Sequence, residues 1–66
     1  MEIILNGEAT VIPEHTTALQ LLDIADLAGK RVAMEINCEI VPRSTYETHS
    51  LQTGDKVEVV RAIGGG

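Results

Sequence analysis

Aromatic residues are almost absent from the sequence, and this restricts how a core can be built. Tyr46 is the only aromatic side chain among 66 residues, whereas isoleucine, leucine and valine occupy nineteen positions. Each of these aliphatic side chains contributes roughly 1.5–3 kcal/mol when it is fully buried. A chain of this length buries only about 60% of the surface that it exposes when unfolded. We therefore expect a single domain over residues 1–66 with an aliphatic core, and no catalytic cleft within it.

Cysteine is also scarce, and long apolar runs are missing. Cys38 is the only cysteine, so no disulfide can form within the chain. Small secreted domains of this size usually depend on disulfides, so the sequence indicates a reducing compartment. The first residues lack a basic segment followed by a long apolar stretch, and no apolar run approaches the length of a membrane span. We predict a cytoplasmic protein that is neither exported nor inserted in a membrane.

Basic residues are outnumbered by acidic ones. Ten acidic and five basic residues give a formal net charge of −5. This is the wrong sign for binding a phosphate backbone through release of counterions, so we expect no nucleic-acid partner. Two interpretations of the acidity stay open. It either steers the chain toward a basic patch on another protein or simply keeps a small protein soluble.

The first half of the sequence predicts a hairpin and a helix. Strand-forming runs at 3–5 and 9–12 flank Asn6-Gly7, a pair typical of two-residue hairpin turns. Thr17 and Gln20 have the spacing of a capping box, which predicts that a helix begins there. We expect this helix to end at Gly29. Two apolar stripes on this helix predict packing on a sheet. One consists of Leu19, Leu22 and Ala25, and the other consists of Ala18, Leu21 and Ala25.

The second half predicts three further strands. Residues 32–36 alternate between apolar and other side chains, and a short apolar run at 40–41 ends at Pro42. Ser44 is predicted to cap a single helical turn over 44–47. The last strand is predicted from Lys56 to Ile63 and has apolar side chains on both faces, which favours a central position in the sheet. The pattern therefore predicts an α+β fold with one helix packed across a small mixed sheet, although other small α+β folds share it.

Side chains with catalytic or ligand chemistry do not form a recognisable site. Cys38 has acidic neighbours in sequence that oppose a thiolate, so we interpret it as a small packed side chain. His15 and His49 have no metal-ligand spacing with Cys38 or with each other. No nucleophile-elbow pattern surrounds Ser44. The isolated glycines do not form a phosphate-binding loop. We expect this chain to contain no catalytic residue, no metal site and no nucleotide site.

The unusual feature is the end of the sequence. A strand rich in β-branched residues passes without a turn into Gly64, Gly65 and Gly66. One interpretation is a flexible end without function. The other is a functional tail over 62–66, because glycine has no Cβ and its backbone fits a narrow channel. A terminal carboxylate is ionised at neutral pH and is a poor electrophile, so it would need activation, most simply by adenylation.

Three segments together resemble the ThiS family of sulfur carriers in the thiamine pathway. They are NCEIVPR at 37–43, LQTGDKVE at 51–58 and AIGGG at 62–66. The resemblance implies a β-grasp (ubiquitin-like) fold and a carrier that is a cosubstrate rather than an enzyme. It also implies that an E1-like adenylyltransferase uses ATP and magnesium to adenylate the carboxylate of Gly66. A cysteine desulfurase or other persulfide donor then supplies sulfur, and thiazole synthase receives it from a Gly66 thiocarboxylate.

This resemblance assigns roles to residues at and near the tail. Gly66 is the site of modification, and Gly64 and Gly65 provide access to a partner's active site. Arg61, Ile63 and Arg43 are candidate partner contacts. For Arg61 and Ile63 the other interpretation is that they complete the last strand, and for Arg43 that its charge stays solvated. No cofactor is expected on this chain, and we expect it to be a monomer when free.

Three other functions remain compatible with a glycine tail. The first is the ubiquitin-like sulfur carrier subunit of molybdopterin synthesis, which the Pro42-Arg43 segment disfavours. The second is a protein modifier joined to lysine amines through Gly66, because an acyl-adenylate reacts with amines as well as with sulfur. The third is a noncovalent interaction module, for which Gly65 and Gly66 would be dispensable.

Overall fold

The first two strands form the predicted hairpin. The computed structural model of the protein describes residues 1–61, and in it β1 (Glu2–Leu5) pairs antiparallel with β2 (Glu8–Val11). Asn6 and Gly7 connect them with φ angles of 49° and 84°. Positive φ at both positions of a two-residue loop gives the backbone twist that matches antiparallel strands. The prediction from the Asn-Gly pair is confirmed.

The helix α1 (Ala18–Ile24) begins where the capping box predicted. The Thr17 side chain accepts a hydrogen bond from the backbone N–H of Gln20 at 3.2 Å, and the Gln20 side chain accepts one from the N–H of Thr17 at 3.0 Å. These two bonds satisfy backbone donors that have no partner inside the helix.

The predicted end of this helix at Gly29 is wrong. Asp26 adopts a left-handed φ of 62°, and its N–H donates to the carbonyl of Asp23. The N–H of Leu27 donates to the carbonyl of Leu22 at 2.7 Å, which completes a Schellman motif. Aspartate occupies the position that glycine usually takes in this motif, so the sequence pattern did not locate the end.

Two further strands and a short turn follow. β3 (Val32–Ile36) and β4 (Glu39–Val41) form a second hairpin, connected by Asn37 and Cys38. A single 3-10 turn (Arg43–Thr45) begins directly after Pro42 and confirms the predicted helical turn. The predicted cap at Ser44 is wrong, because Ser44 lies inside the turn, which has no side-chain cap; the Thr45 hydroxyl instead donates to the carbonyl of Pro42 at 2.8 Å.

The last strand, β5 (Lys56–Arg61), lies in the centre of the sheet, as predicted. The strand order is β2-β1-β5-β3-β4, with β5 parallel to β1 and antiparallel to β3. The sheet is therefore mixed, and one helix covers one of its faces, which confirms the predicted α+β architecture. The predicted extension of this strand to Ile63 and the predicted flexible tail at 62–66 lie outside the described residues.

The core lies between α1 and the covered face of the sheet. Thirteen hydrophobic side chains are buried there, and twelve of them are aliphatic or Met34, as the scarcity of aromatic residues predicted. Ala18, Leu21 and Leu22 are the buried residues of α1. The predicted stripe is partly wrong, because Leu19 is 46% exposed. Within residues 1–61 we find no helix that is long and apolar enough to cross a membrane.

Candidate functional site

The strand β5 leads directly to the glycine residues, so the site begins with how this strand is held. Its start pairs with β1 through Ile4↔Lys56 and Leu5↔Val57, and its residues 57–61 pair with β3. Arg61, the last described residue, is opposite Val32 of β3 and is exposed. The end of β5 is therefore supported by the sheet on the β3 side up to residue 61.

Two asparagine side chains bind the backbone of β5. The side-chain oxygen of Asn6 accepts a hydrogen bond from the N–H of Val59 at 2.8 Å, just beyond the last residue of β5 that β1 pairs with. The side-chain oxygen of Asn37 accepts one from the N–H of Lys56 at 3.0 Å, and its amide nitrogen donates to Asp55 at 3.1 Å. Sequence reasoning used Asn6 only as a turn residue and gave Asn37 no structural role, so it missed both anchors.

The predicted site residues fall into two groups. Ile63, Gly64, Gly65 and Gly66 lie outside the described residues. Arg61 and Arg43 lie within them and belong to different elements, the end of β5 and the 3-10 turn. The structure therefore places Arg61 next to the tail in the chain and Arg43 in the turn that follows β4.

Cys38 is exposed, and its interpretation as a small packed side chain is wrong. It lies in the β3–β4 turn with a φ of 70°. Its neighbour Asn37 binds Lys56, so this turn is at the start of β5, whereas the glycine residues follow its end. At about 3.3 Å per strand residue, these two ends of β5 are roughly 17 Å apart.

The rest of residues 1–61 shows no reactive cluster. No group of three or more histidine, cysteine, aspartate or glutamate side chains in this range is arranged to hold a metal ion. His49 contributes its backbone carbonyl to the helix start, where it accepts the N–H of Ala18 at 2.9 Å. His15 is exposed in the loop before α1.

Two exposed surfaces flank the core, and sequence reasoning identified neither. On the uncovered face of the sheet, three aliphatic side chains are more than half exposed: Val11, Ile40 and Val60. On the other side, a groove of about 460 Å³ lies between α1 and the 3-10 turn. Arg43 lines this groove together with Lys30 and Arg31. Lys30 and Arg31 are neighbours in sequence, but Arg43 is distant from them, so only the fold brings the three cations together.

Comparison with known proteins connects the whole chain with sulfur metabolism. Residues 2–66 match the model of the ThiS family. The sulfur carrier protein ThiS of Escherichia coli K12 is 33% identical over the full length of both chains. Thiazole synthases of Paramagnetospirillum magneticum and Magnetococcus marinus are 39% and 44% identical over this chain. This chain spans about a fifth (20%) of the length of each of these thiazole synthases.

A solved structure shares the fold. The crystal structure of the thiamine biosynthesis protein ThiS from Geobacter metallireducens superposes with a TM-score of 0.86 and 28% identity, and each chain covers 100% of the other. The match confirms the β-grasp fold that the resemblance implied. The family match extends through the three glycines.

Proposed function

Because the chain belongs to the ThiS family, we propose that it carries sulfur for thiamine biosynthesis as a thiocarboxylate on Gly66. It acts as a carrier and not as an enzyme. The observation that supports this proposal is the family match over residues 2–66, which includes the terminal glycine. The absence of a metal-ligating cluster in residues 1–61 is compatible with a protein whose chemistry lies at its end.

In the proposed activation, an E1-like adenylyltransferase binds ATP and magnesium. A carboxylate oxygen of Gly66 attacks the α-phosphorus of ATP, pyrophosphate leaves, and an acyl-adenylate forms. This step converts a poor electrophile into an acyl group with a good leaving group. ATP and magnesium belong to the activating partner, and we assign no cofactor to this chain.

Sulfur then enters from a persulfide, supplied by a cysteine desulfurase or another persulfide donor. The terminal persulfide sulfur attacks the acyl carbon, AMP leaves, and an acyl disulfide forms. A second thiol attacks the sulfur that belongs to the donor cysteine, so the Gly66 thiocarboxylate leaves and the two thiols remain as a disulfide. Thiazole synthase finally takes the sulfur, and hydrolysis of the acyl group restores the carboxylate.

The residues before Gly66 give the tail its reach. From Arg61 to Gly66, six residues span up to roughly 20 Å when extended. Gly64 and Gly65 add no side chain, so a narrow channel in a partner would admit them. Arg61 and Ile63 are proposed contacts with the activating enzyme, through charge and apolar surface respectively. The two asparagine anchors hold the strand from which this segment continues.

Thiazole synthase is the proposed acceptor because two thiazole synthases contain a region similar to this entire chain. In those relatives, a carrier-like region and the rest of the enzyme belong to one polypeptide. We infer that this chain meets thiazole synthase during the reaction. Cytoplasmic localisation and a monomeric free state stay predictions from the sequence.

Intact-protein mass spectrometry tests the proposal. The chain is incubated with the activating enzyme, ATP, magnesium and a persulfide donor, and the expected mass change equals replacement of one oxygen by sulfur. The change should persist in Cys38→Ser and vanish when Gly66 is deleted. An unchanged mass with partners that are active on another ThiS protein would overturn the proposal. Stable attachment to lysines instead of a sulfur-dependent change would favour the modifier function.

A further inference from the structure

The groove between α1 and the 3-10 turn combines cations with an apolar wall. Lys30, Arg31 and Arg43 are its basic residues, and Glu47 is its only acidic one. Three of the five basic residues of the chain therefore line one groove, which gives it a local charge of +2 in a protein of net charge −5. This charge distribution makes the groove the place where an anionic group is attracted.

Two of the three cations in this groove are available to a ligand. Among residues 1–61, neither Lys30 nor Arg43 has an ion-pair partner. Both side chains are exposed, so they keep most of their hydration until a partner arrives. These two cations are sufficient for the interaction proposed for this groove.

The apolar wall consists of Leu19, Leu22 and Tyr46. Leu22 and Tyr46 are buried, at 5% and 4% exposure, so they form the fixed floor of the groove, whereas Leu19 is 46% exposed and supplies accessible apolar surface. The N–H of Leu19 donates to the carbonyl of Tyr46 at 3.0 Å, which ties the helix to the segment opposite it. The two sides of the groove are thus held together, and Leu19 presents aliphatic surface that the fold itself leaves uncovered.

We propose that this groove binds an acidic, extended segment of a partner protein. One aliphatic side chain of that segment packs against the exposed side chain of Leu19, above Leu22 and Tyr46, and flanking carboxylates meet Lys30 and Arg43. A nucleic acid fits poorly, because its phosphate backbone would extend beyond the groove over a protein of net charge −5, whereas a short acidic segment meets the cations of the groove alone. A small anion would leave the apolar wall uncovered. This interaction requires no chemistry at Gly66.

A peptide titration followed by NMR of the isotopically labelled full chain tests the proposal. The probe is a short, end-capped peptide in which one leucine is flanked on both sides by aspartate and glutamate. Two comparison peptides replace the leucine by serine or all acids by their amides. We expect shifts centred on the amides of Lys30, Arg43 and Tyr46, with weaker binding of both comparison peptides.

Matched variants separate the groove from general charge effects. Arg43→Gln is expected to weaken binding about 2- to 5-fold, the range for one exposed ion pair. Lys56→Gln makes the same charge change on the uncovered face of the sheet and should leave binding unchanged. Leu19→Ser should weaken binding, whereas Ile24→Ser should not, although the exposure of Ile24 on the same helix is similar at 48%.

Three outcomes would overturn the proposal. The first is absence of groove shifts at millimolar probe concentration. The second is equal weakening by Arg43→Gln and Lys56→Gln, which would indicate general charge attraction only. The third is shifts that follow the concentration of the protein instead of the peptide, which would identify a second copy of this chain as the occupant.

Discussion

The two hairpin turns have the same design and differ in one residue. Asn6-Gly7 connects β1 to β2, and Asn37-Cys38 connects β3 to β4, each as a two-residue loop. All four residues have positive φ, at 49° and 84° in the first turn and 52° and 70° in the second. In both turns the asparagine oxygen accepts an N–H of β5. The two turns therefore anchor the central strand from its two neighbours.

The two turns differ in the steric cost at which their second residue adopts positive φ. Glycine adopts positive φ without steric cost, whereas a residue with a Cβ is strained there. Cys38 has such a conformation, its side chain is exposed, and the thiol packs against nothing in the core. Asparagine at the first position is therefore the shared anchor, and the second position tolerates strain in one of the two turns.

Removal of the Asn6 anchor should have the largest effect. Asn6→Gly keeps positive φ accessible but deletes the acceptor of the Val59 N–H. Val59 is only 6% exposed, so this N–H would lose its partner in a buried position. We expect a loss of about 1–3 kcal/mol in the free energy of unfolding, measured by urea denaturation. Asn6→Asp keeps an oxygen at this position and should lose less. Equal losses in both variants would show that the hydrogen bond is not the cause.

The strain at the second position is tested by Gly7→Ala. A Cβ at Gly7 would meet no atom within 4 Å, so the cost is purely conformational. We expect destabilisation of about 1–2 kcal/mol, the cost of left-handed backbone for a residue with a Cβ. Gly7→Asn should cost less, because asparagine adopts this conformation more readily. A thermal unfolding midpoint unchanged by Gly7→Ala would contradict the importance of φ at this turn.

The second anchor should contribute less than the first. Asn37→Gly removes the acceptor of the Lys56 N–H, but this bond is exposed and water can replace it. We expect a loss of about 0.5–1.5 kcal/mol in urea denaturation. Hydrogen exchange of the Lys56 amide should accelerate more than that of Val59. A loss larger than that of Asn6→Gly would reverse the proposed order of the two anchors.

The smallest expected effect has the opposite sign. Cys38→Gly gives the second turn the residue of the first and should stabilise the fold by about 0.5 kcal/mol, because relief of strain exceeds the entropic cost of glycine. Cys38→Ser keeps the Cβ and should leave the unfolding midpoint unchanged. A clear destabilisation by Cys38→Ser would mean that the thiol is packed after all.

The first turn was predictable from sequence and the second was not, for a physical reason. Asn-Gly is a pair in which both residues tolerate positive φ, so it predicts a turn on its own. Asn37-Cys38 contains a residue that tolerates it poorly, and β3–β4 pairing enforces the conformation. The helix end is a similar case, because Asp26 occupies the left-handed position at which the pattern predicts glycine.

Alternation predicted the covered face of the sheet better than it predicted the open one. Val57 and Val59 lie in the core as their spacing indicated, and β5 is central. Val60 belongs to the other face, and the apolar side chains on both faces predicted the central position of β5 correctly, but Val60 itself is 61% exposed. Period two identifies which residues share a face, and it does not tell whether another layer covers that face.

The sequence likewise predicts one part of the candidate site and not the other. The role proposed for Gly66 rests on a local sequence motif and on the resemblance to a family. The groove could not be predicted, because Lys30 and Arg43 meet only after β3 and β4 have formed their hairpin between them. A surface formed by residues that are far apart in sequence gives no local sequence pattern, whereas a terminal motif can be identified directly from the sequence.

The central place of β5 has a consequence for the folding rate. The hairpin β1–β2 and the hairpin β3–β4 have no sheet contact with each other except through β5. Its parallel pairing joins Ile4 to Lys56, residues 52 positions apart. Closing so long a loop costs entropy before its contacts form, and nonlocal contacts of this kind slow folding. The two hairpins are thus expected to form early, and docking of residues 56–61 between them is expected to limit the rate.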